Sequence, residues 1–123
     1  MKHYDIIIIG AGPGGIFSAY ELMQKKPDLK VAVFESGYSL EKRHCPIDGV
    51  KVKSCAIMNG FGGAGAFSDG KYNITNDFGG TLYEYIGKKE AIDLMKYVDH
   101  INVTHGGEET RMFSTAGTKF KKL

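Results

Sequence analysis

The stretch Tyr4-Asp5-Ile6-Ile7-Ile8-Ile9-Gly10-Ala11-Gly12-Pro13-Gly14-Gly15 decides how the rest of the chain is understood. Tyr4–Ile9 is a continuous run ending in four isoleucines, and β-branched residues on both faces predict a strand buried on both sides, as in a parallel sheet. Gly10 closes that strand. From Pro13 to Lys26 the period becomes helical, with Ile16, Ala19, Tyr20 and Met23 on one face. Proline suits the first helical turn, where its missing N–H has no intrahelical partner. Pro27 ends the helix, and Lys30–Glu35 (KVAVFE) is a second strand. Strand, helix and strand within about 30 residues make a βαβ unit, whose crossover is right-handed.

Gly10, Gly12 and Gly15 satisfy the spacing G-x-G-x-x-G. A glycine-rich chain can meet that pattern by chance. Here it follows a strand, opens a helix and has an acidic residue, Glu35, ending the next strand. That is the context of a dinucleotide-binding fingerprint. Gly10 permits the tight turn, Gly12 lets main chain approach a pyrophosphate, and Gly15 lets helix and strand pack closely. Gly14 lies in the same turn, and with Pro13 it belongs to the expected cofactor-binding loop. The helix N-terminus offers N–H groups and a partial positive charge to phosphates. Glu35 can accept hydrogen bonds from a ribose 2′-OH and would repel a 2′-phosphate, which disfavours NADP. The apolar positions Ile6, Ile8, Ala19, Leu22, Val31 and Val33 fit the same register. The expected class is therefore α/β, a Rossmann-like FAD/NAD(P)-binding fold represented by its N-terminal βαβ part.

The composition narrows the possibilities. The chain has 123 residues and 17 glycines, with 3 prolines and a formal charge of +2. Glycine is about twice its usual share without a collagen period. Nine of the 17 fall in two clusters, four in 10–15 and five in 60–70. The basic cluster Lys119, Lys121 and Lys122 is a solvated chain end, so nucleic acid is not an expected partner. No apolar stretch reaches the ~20 residues of a membrane span, and the isoleucine run is too short for a secretory h-region. A cytoplasmic location is the expectation.

The fingerprint alone does not separate FAD from NAD, since both present an adenosine pyrophosphate. The second cluster bears on the choice. Asn59–Lys71 (NGFGGAGAFSDGK) follows the second strand where a plain NAD-binding domain needs no further close-approach main chain. In flavoproteins a second loop commonly covers the pyrophosphate or flavin edge. GAGPGG with Glu35, EKRHCP at Glu41–Pro46 and NGFGGAGAFSDGK together resemble the N-terminal part of the bacterial FAD-dependent dehydrogenases. These are flavoproteins with the two-dinucleotide-fold architecture of the glutathione reductase superfamily. The resemblance covers about residues 4–107. It implies that Gly10, Gly12, Gly14, Gly15 and Glu35 hold the ADP half of FAD. It places Arg43 near the adenosine or phosphates, and Gly62, Gly63 and Ser68 near the pyrophosphate and flavin. Within the family, hydride passes between substrate or NAD(P)H and the flavin.

The chain also departs from that family. Members carry a more Cys-rich stretch before the second glycine loop, and a C-terminal Gly-Asp segment that completes the flavin site. Residues 1–123 are accordingly expected to be the N-terminal portion of an FAD-binding domain. Two strands are too few for a stable parallel sheet, so an isolated chain is expected to be marginally stable and to bind FAD weakly or not at all. The rest of the domain, or a partner chain, would complete it. Two alternatives stay open: an NAD-binding dehydrogenase domain, and a catalytically inactive truncated nucleotide-binding product.

The remaining segments say less. A short helix is expected near Leu40–His44 and a turn at Asp77–Gly80. A helix over Lys88–Asn102 carries the apolar stripe Ala91, Leu94, Met95, Val98 and Ile101. Cys45 and Cys55 have neither redox-motif nor zinc-ligand spacing and are expected to be unpaired thiols. Asp69 and Lys71 suit a turn and a solvated cation; the functional alternative brings Lys71 to a phosphate or the flavin N1–C2 edge. No catalytic acid or base and no metal site is assigned.

Overall fold

The structure, a computed structural model, describes residues 2–45, 55–68, 70–77 and 79–109. Pro46, Asp69 and the lysines at 119, 121 and 122 lie outside the described residues. The chain divides into two compact units, Met1–Lys71 and Tyr72–Leu123.

The first unit opens with strand β1 (Ile6–Ile9), helix α1 (Pro13–Lys25) and strand β2 (Val31–Phe34). The strands pair in parallel, Ile6 opposite Val31 through Ile9 opposite Phe34. The main-chain ladder extends beyond them, with Asp5 N–H on Lys30 O (2.9 Å) and Gly10 N–H on Phe34 O (2.7 Å). Asp5 adds a side-chain tie by accepting from Lys30 N–H at 2.8 Å. Helix α1 stops at Lys26, whose φ of −144° and ψ of 69° are not helical. That is the residue before Pro27, where the proline ring disfavours the helical region. A short α/β unit with a two-stranded parallel sheet results, compatible with a Rossmann-like nucleotide-binding start.

Two expectations are corrected. The isoleucine run is not buried on both sides: Ile6 and Ile8 are half-buried, while Ile7 is 57% and Ile9 81% exposed. Alternate strand residues face opposite sides of a sheet, and one of those sides is the one left open. Met23 likewise closes the helical stripe only in sequence, being 46% exposed, whereas Ile16, Ala19 and Tyr20 are half-buried. After β2 the chain forms a 3-10 turn at Leu40–Lys42, in the place of the expected short helix, and another at Ala64–Phe67 within the second glycine segment.

The second unit contains helix α2 (Leu82–Ile86) and helix α3 (Lys88–Asn102), followed by a π-helical turn at Val103–Gly107. Helix α3 has the bounds its apolar period implies. Ala91 and Ile101 are buried, Met95 and Val98 half-buried, and Leu94 is 45% exposed. Gly87 joins the two helices at φ +91°, a conformation side-chain-bearing residues rarely adopt. Helix α2 had no sequence signal, since five residues are too few to show a period. Among the described residues no helix is long and apolar enough to cross a membrane.

Candidate functional site

The candidate site lies in the first unit and begins where β1 hands over to α1. Gly10 turns the chain at φ +96°. Gly12 caps α1 with extended main chain, contributing no side-chain hydrogen bond to the helix, and Pro13 starts the helix. Gly14 and Gly15 therefore present N–H groups in a first turn that supplies no intrahelical acceptor. The fingerprint glycines differ in what a side chain would meet. A Cβ at Gly15 would lie 1.9 Å from the Gly10 carbonyl oxygen and 3.4 Å from Ile8 Cγ2, so this position must lack one for helix and strand to meet. A Cβ at Gly10, Gly12 or Gly14 would meet nothing within 4 Å. The space over the helix start is open, as an approaching ligand requires.

Glu35 stands just beyond β2, and its carboxylate is tied to main chain. One oxygen accepts from Ala11 N–H at 2.7 Å, the other from Gly37 N–H at 2.8 Å. Ser36 Oγ lies 3.5 Å from the second oxygen. These bonds, Ala11 foremost and then Gly37, favour the ionised form and hold the carboxyl below the ordinary 4.5 of a glutamate. Glu35 thus joins the end of β2 to the first glycine turn. A carboxylate has about four acceptor sites, so these contacts leave capacity for a ribose hydroxyl.

The second glycine segment comes to the same place. Gly62 N–H donates to Ala11 O at 2.8 Å, and Phe61 N–H to Tyr38 O at 3.0 Å. A Cβ on Gly63 would lie 3.1 Å from Pro13 Cδ and 3.3 Å from Gly12 Cα. A Cβ on Gly37 would come within 2.5 Å of Gly60 Cα. Gly10, Gly12, Pro13, Gly14, Gly15, Glu35, Gly62 and Gly63, about 50 residues apart at the extremes, thus form one assembly.

The resemblance also names Arg43, near the adenosine or phosphates, and Ser68, near the pyrophosphate and flavin. Arg43 is buried, 3% exposed, and its guanidinium donates to the carbonyls of Ala56, Ile57, Phe61 and Gly63. Its donors hold main chain. Ser68 is exposed and ends the 3-10 turn, with Oγ accepting from Gly70 N–H at 3.2 Å. Sequence reasoning missed Gly37 and gave Gly60 no role apart from its segment; these are the glycines where the segments cross. A glycine two residues beyond the acidic strand end was the available signal. Cys45 and Cys55 are exposed free thiols. Among the described residues no cluster of three or more His, Cys, Asp or Glu side chains could hold a metal.

The sequence has counterparts among known proteins over a limited stretch. A family model described as the Thi4 family matches residues 1–43, which span β1, α1, β2 and Glu35 through Arg43. The thiamine thiazole synthase of Phaeosphaeria nodorum is 54% identical over 33 residues, 27% of this chain and 10% of that protein. That of Fusarium oxysporum f. sp. lycopersici is 54% identical over 35 residues, 28% of this chain and 11% of that protein. The Candida albicans protein is 51% identical over 35 residues. The matched stretch is thus about a tenth of the length of these curated relatives. No solved structure matches the chain. Residues 1–43 are similar to the Thi4 family.

Proposed function

We propose that the first unit is the ADP-holding start of an FAD site in a flavin-dependent oxidoreductase. The observation that carries this reading is the convergence of two glycine segments on the open N-terminus of α1, with the Glu35 carboxylate fastened beside it. The open space over Gly12 and Gly14 fits a dinucleotide, and the N–H groups of Gly14 and Gly15 suit its pyrophosphate. Glu35, with acceptor capacity to spare, suits an adenosine ribose. Gly62 and Gly63 extend the site past the first loop, which favours FAD over a cofactor served by the fingerprint alone. When bound, the flavin would supply the electron-transfer chemistry, and the protein would orient it.

The similarity to the Thi4 family covers the βαβ start and Glu35. It therefore supports a nucleotide site of this build and assigns no reaction to the chain. Titrating the ¹⁵N-labelled chain with FAD and with ADP, up to about 1 mM, reads even weak binding residue by residue. Saturable shifts are expected at Gly12, Gly14 and Gly15 with both ligands, and at Gly62 and Gly63 with FAD. Unmoved amides in 10–15 would rule out nucleotide binding by this chain on its own. Shifts there with NAD equal to those with FAD, and none at Gly62 or Gly63, would support the NAD-binding alternative.

A further inference from the structure

Arg43 lies outside the glycine segments, yet it is the side chain on which the second one is hung. A glycine-rich stretch has almost no side chains with which to fix itself, so something else must hold its main chain. Arg43 Nε donates to Ala56 O at 2.9 Å, Nη1 to Phe61 O, and Nη2 to both Ile57 O and Gly63 O, the last at 2.8 Å. The cation also lies 4.8 Å from the centre of the Phe67 ring. Four of the five N–H donors of a guanidinium are thereby committed to main chain. The fit extends to Gly60, where a Cβ would meet Arg43 Cδ at 2.8 Å and Nε at 3.0 Å. Burying a cation this deeply is costly unless its donors are satisfied, and here they are satisfied by the carbonyls of the segment it organises. The guanidinium fork serves four carbonyls at once, whereas a lysine ammonium is a compact point charge with three donors.

The held segment reaches the first loop through Gly62 N–H on Ala11 O. We infer that Arg43 is a positioning residue for the part of a dinucleotide beyond its ADP half, acting through the main chain of residues 56–63 without touching the ligand. This rests on the dinucleotide reading of the site. The ADP half faces Gly12–Gly15 and Glu35, which β1, α1 and β2 build locally. The second segment has no such local scaffold, so loss of Arg43 falls selectively on FAD.

The test uses the full 123-residue chain with Arg43→Lys, Arg43→Ala and Phe67→Leu, with FAD and ADP as separate ligands. Hydrogen exchange at Gly62 and Gly63 reads the clamp with no ligand present. Both Arg43 variants are expected to exchange these amides faster. FAD affinity should fall about ten-fold or more, the scale of losing charge-assisted hydrogen bonds, while ADP affinity stays within about three-fold. Phe67→Leu keeps the fork and should sit close to wild type. Equal losses for FAD and ADP, unchanged exchange at Gly62, or full rescue by lysine each overturn the positioning role. So does collapse of β1 and α1 signals in both Arg43 variants, because the residue would then support the whole unit. If wild type binds neither ligand, the reading that this chain by itself holds a dinucleotide falls, an outcome distinct from all of these.

Discussion

The two glycine segments of the first unit do similar work by different means. Gly10–Gly15 is held by its neighbours in sequence: a strand delivers it, a helix leaves it, and Gly15 is small because the Gly10 carbonyl stands where its Cβ would be. The segment 60–63 has no strand or helix of its own. It is held from a distance, by Arg43 and by contact with Gly37 and Ala11. A short pattern can specify the first kind of loop, and a three-dimensional arrangement is needed for the second.

Substitutions at individual glycines can break this contrast. The largest effect is expected from Gly15→Ala, which drives a methyl group into main chain at 1.9 Å. A loss of about 3 kcal/mol or more should remove the cooperative melt, followed by circular dichroism. A folded Gly15→Ala protein with the wild-type midpoint would mean that helix and strand do not meet as described. Gly37→Ala pushes against Gly60 Cα and N, at 2.5 and 2.7 Å. About 1–3 kcal/mol is expected, with amide shifts concentrated in 56–63 and little change in α1. Shifts spread evenly over α1 would erase the distinction between a locally built and a remotely held loop.

Gly14→Ala should act in the opposite direction on stability. Nothing lies within 4 Å of the added methyl group, and alanine loses less entropy in a helix, so a gain of about 0.5–1 kcal/mol is expected. The methyl group would intrude on the space assigned to the ligand, so ADP binding should weaken as the melting midpoint rises. Tighter ADP binding in this variant would remove Gly14 from the site.

The smallest effect concerns acid. Because Ala11 and Gly37 N–H hold the Glu35 carboxyl below its ordinary value, its contribution is fully present above about pH 4.5 and is lost as pH falls through the lowered value. The Ala11 and Gly37 amides should respond together over that range. Glu35→Gln should abolish the response, since its amide does not titrate. Independent responses of Ala11 and Gly37 would show that one carboxylate does not tie both.

How much of this was legible in the sequence follows the same division. Ile6–Ile9, Pro13–Lys25, Val31–Phe34 and Lys88–Asn102 could be read because local period and proline placement dictate them. The meeting of Gly62 with Ala11, or of Gly37 with Gly60, could not be read, because no periodicity links positions so far apart. For Arg43 the resemblance implies a place near the adenosine or phosphates, and no local pattern shows which carbonyls it holds. In the folded chain it is buried, with its donors on the carbonyls of Ala56, Ile57, Phe61 and Gly63. The exposed Ile7 and Ile9 teach the converse lesson. An unbroken apolar run says that both faces can be covered, while the surroundings decide whether they are.

The tie between Glu35 and Ala11 has one more consequence. It withdraws Ala11 N–H from any phosphate, as the ladder withdraws Gly10 N–H and proline withdraws its own. The donors left at the head of α1 are neutral amides of glycine. A phosphate leaving such a place strands no charged side chain that must be rehydrated, so departure leaves the protein electrostatically as it was. Affinity set by these amides should then vary gently with added salt, in contrast to a site built from lysines.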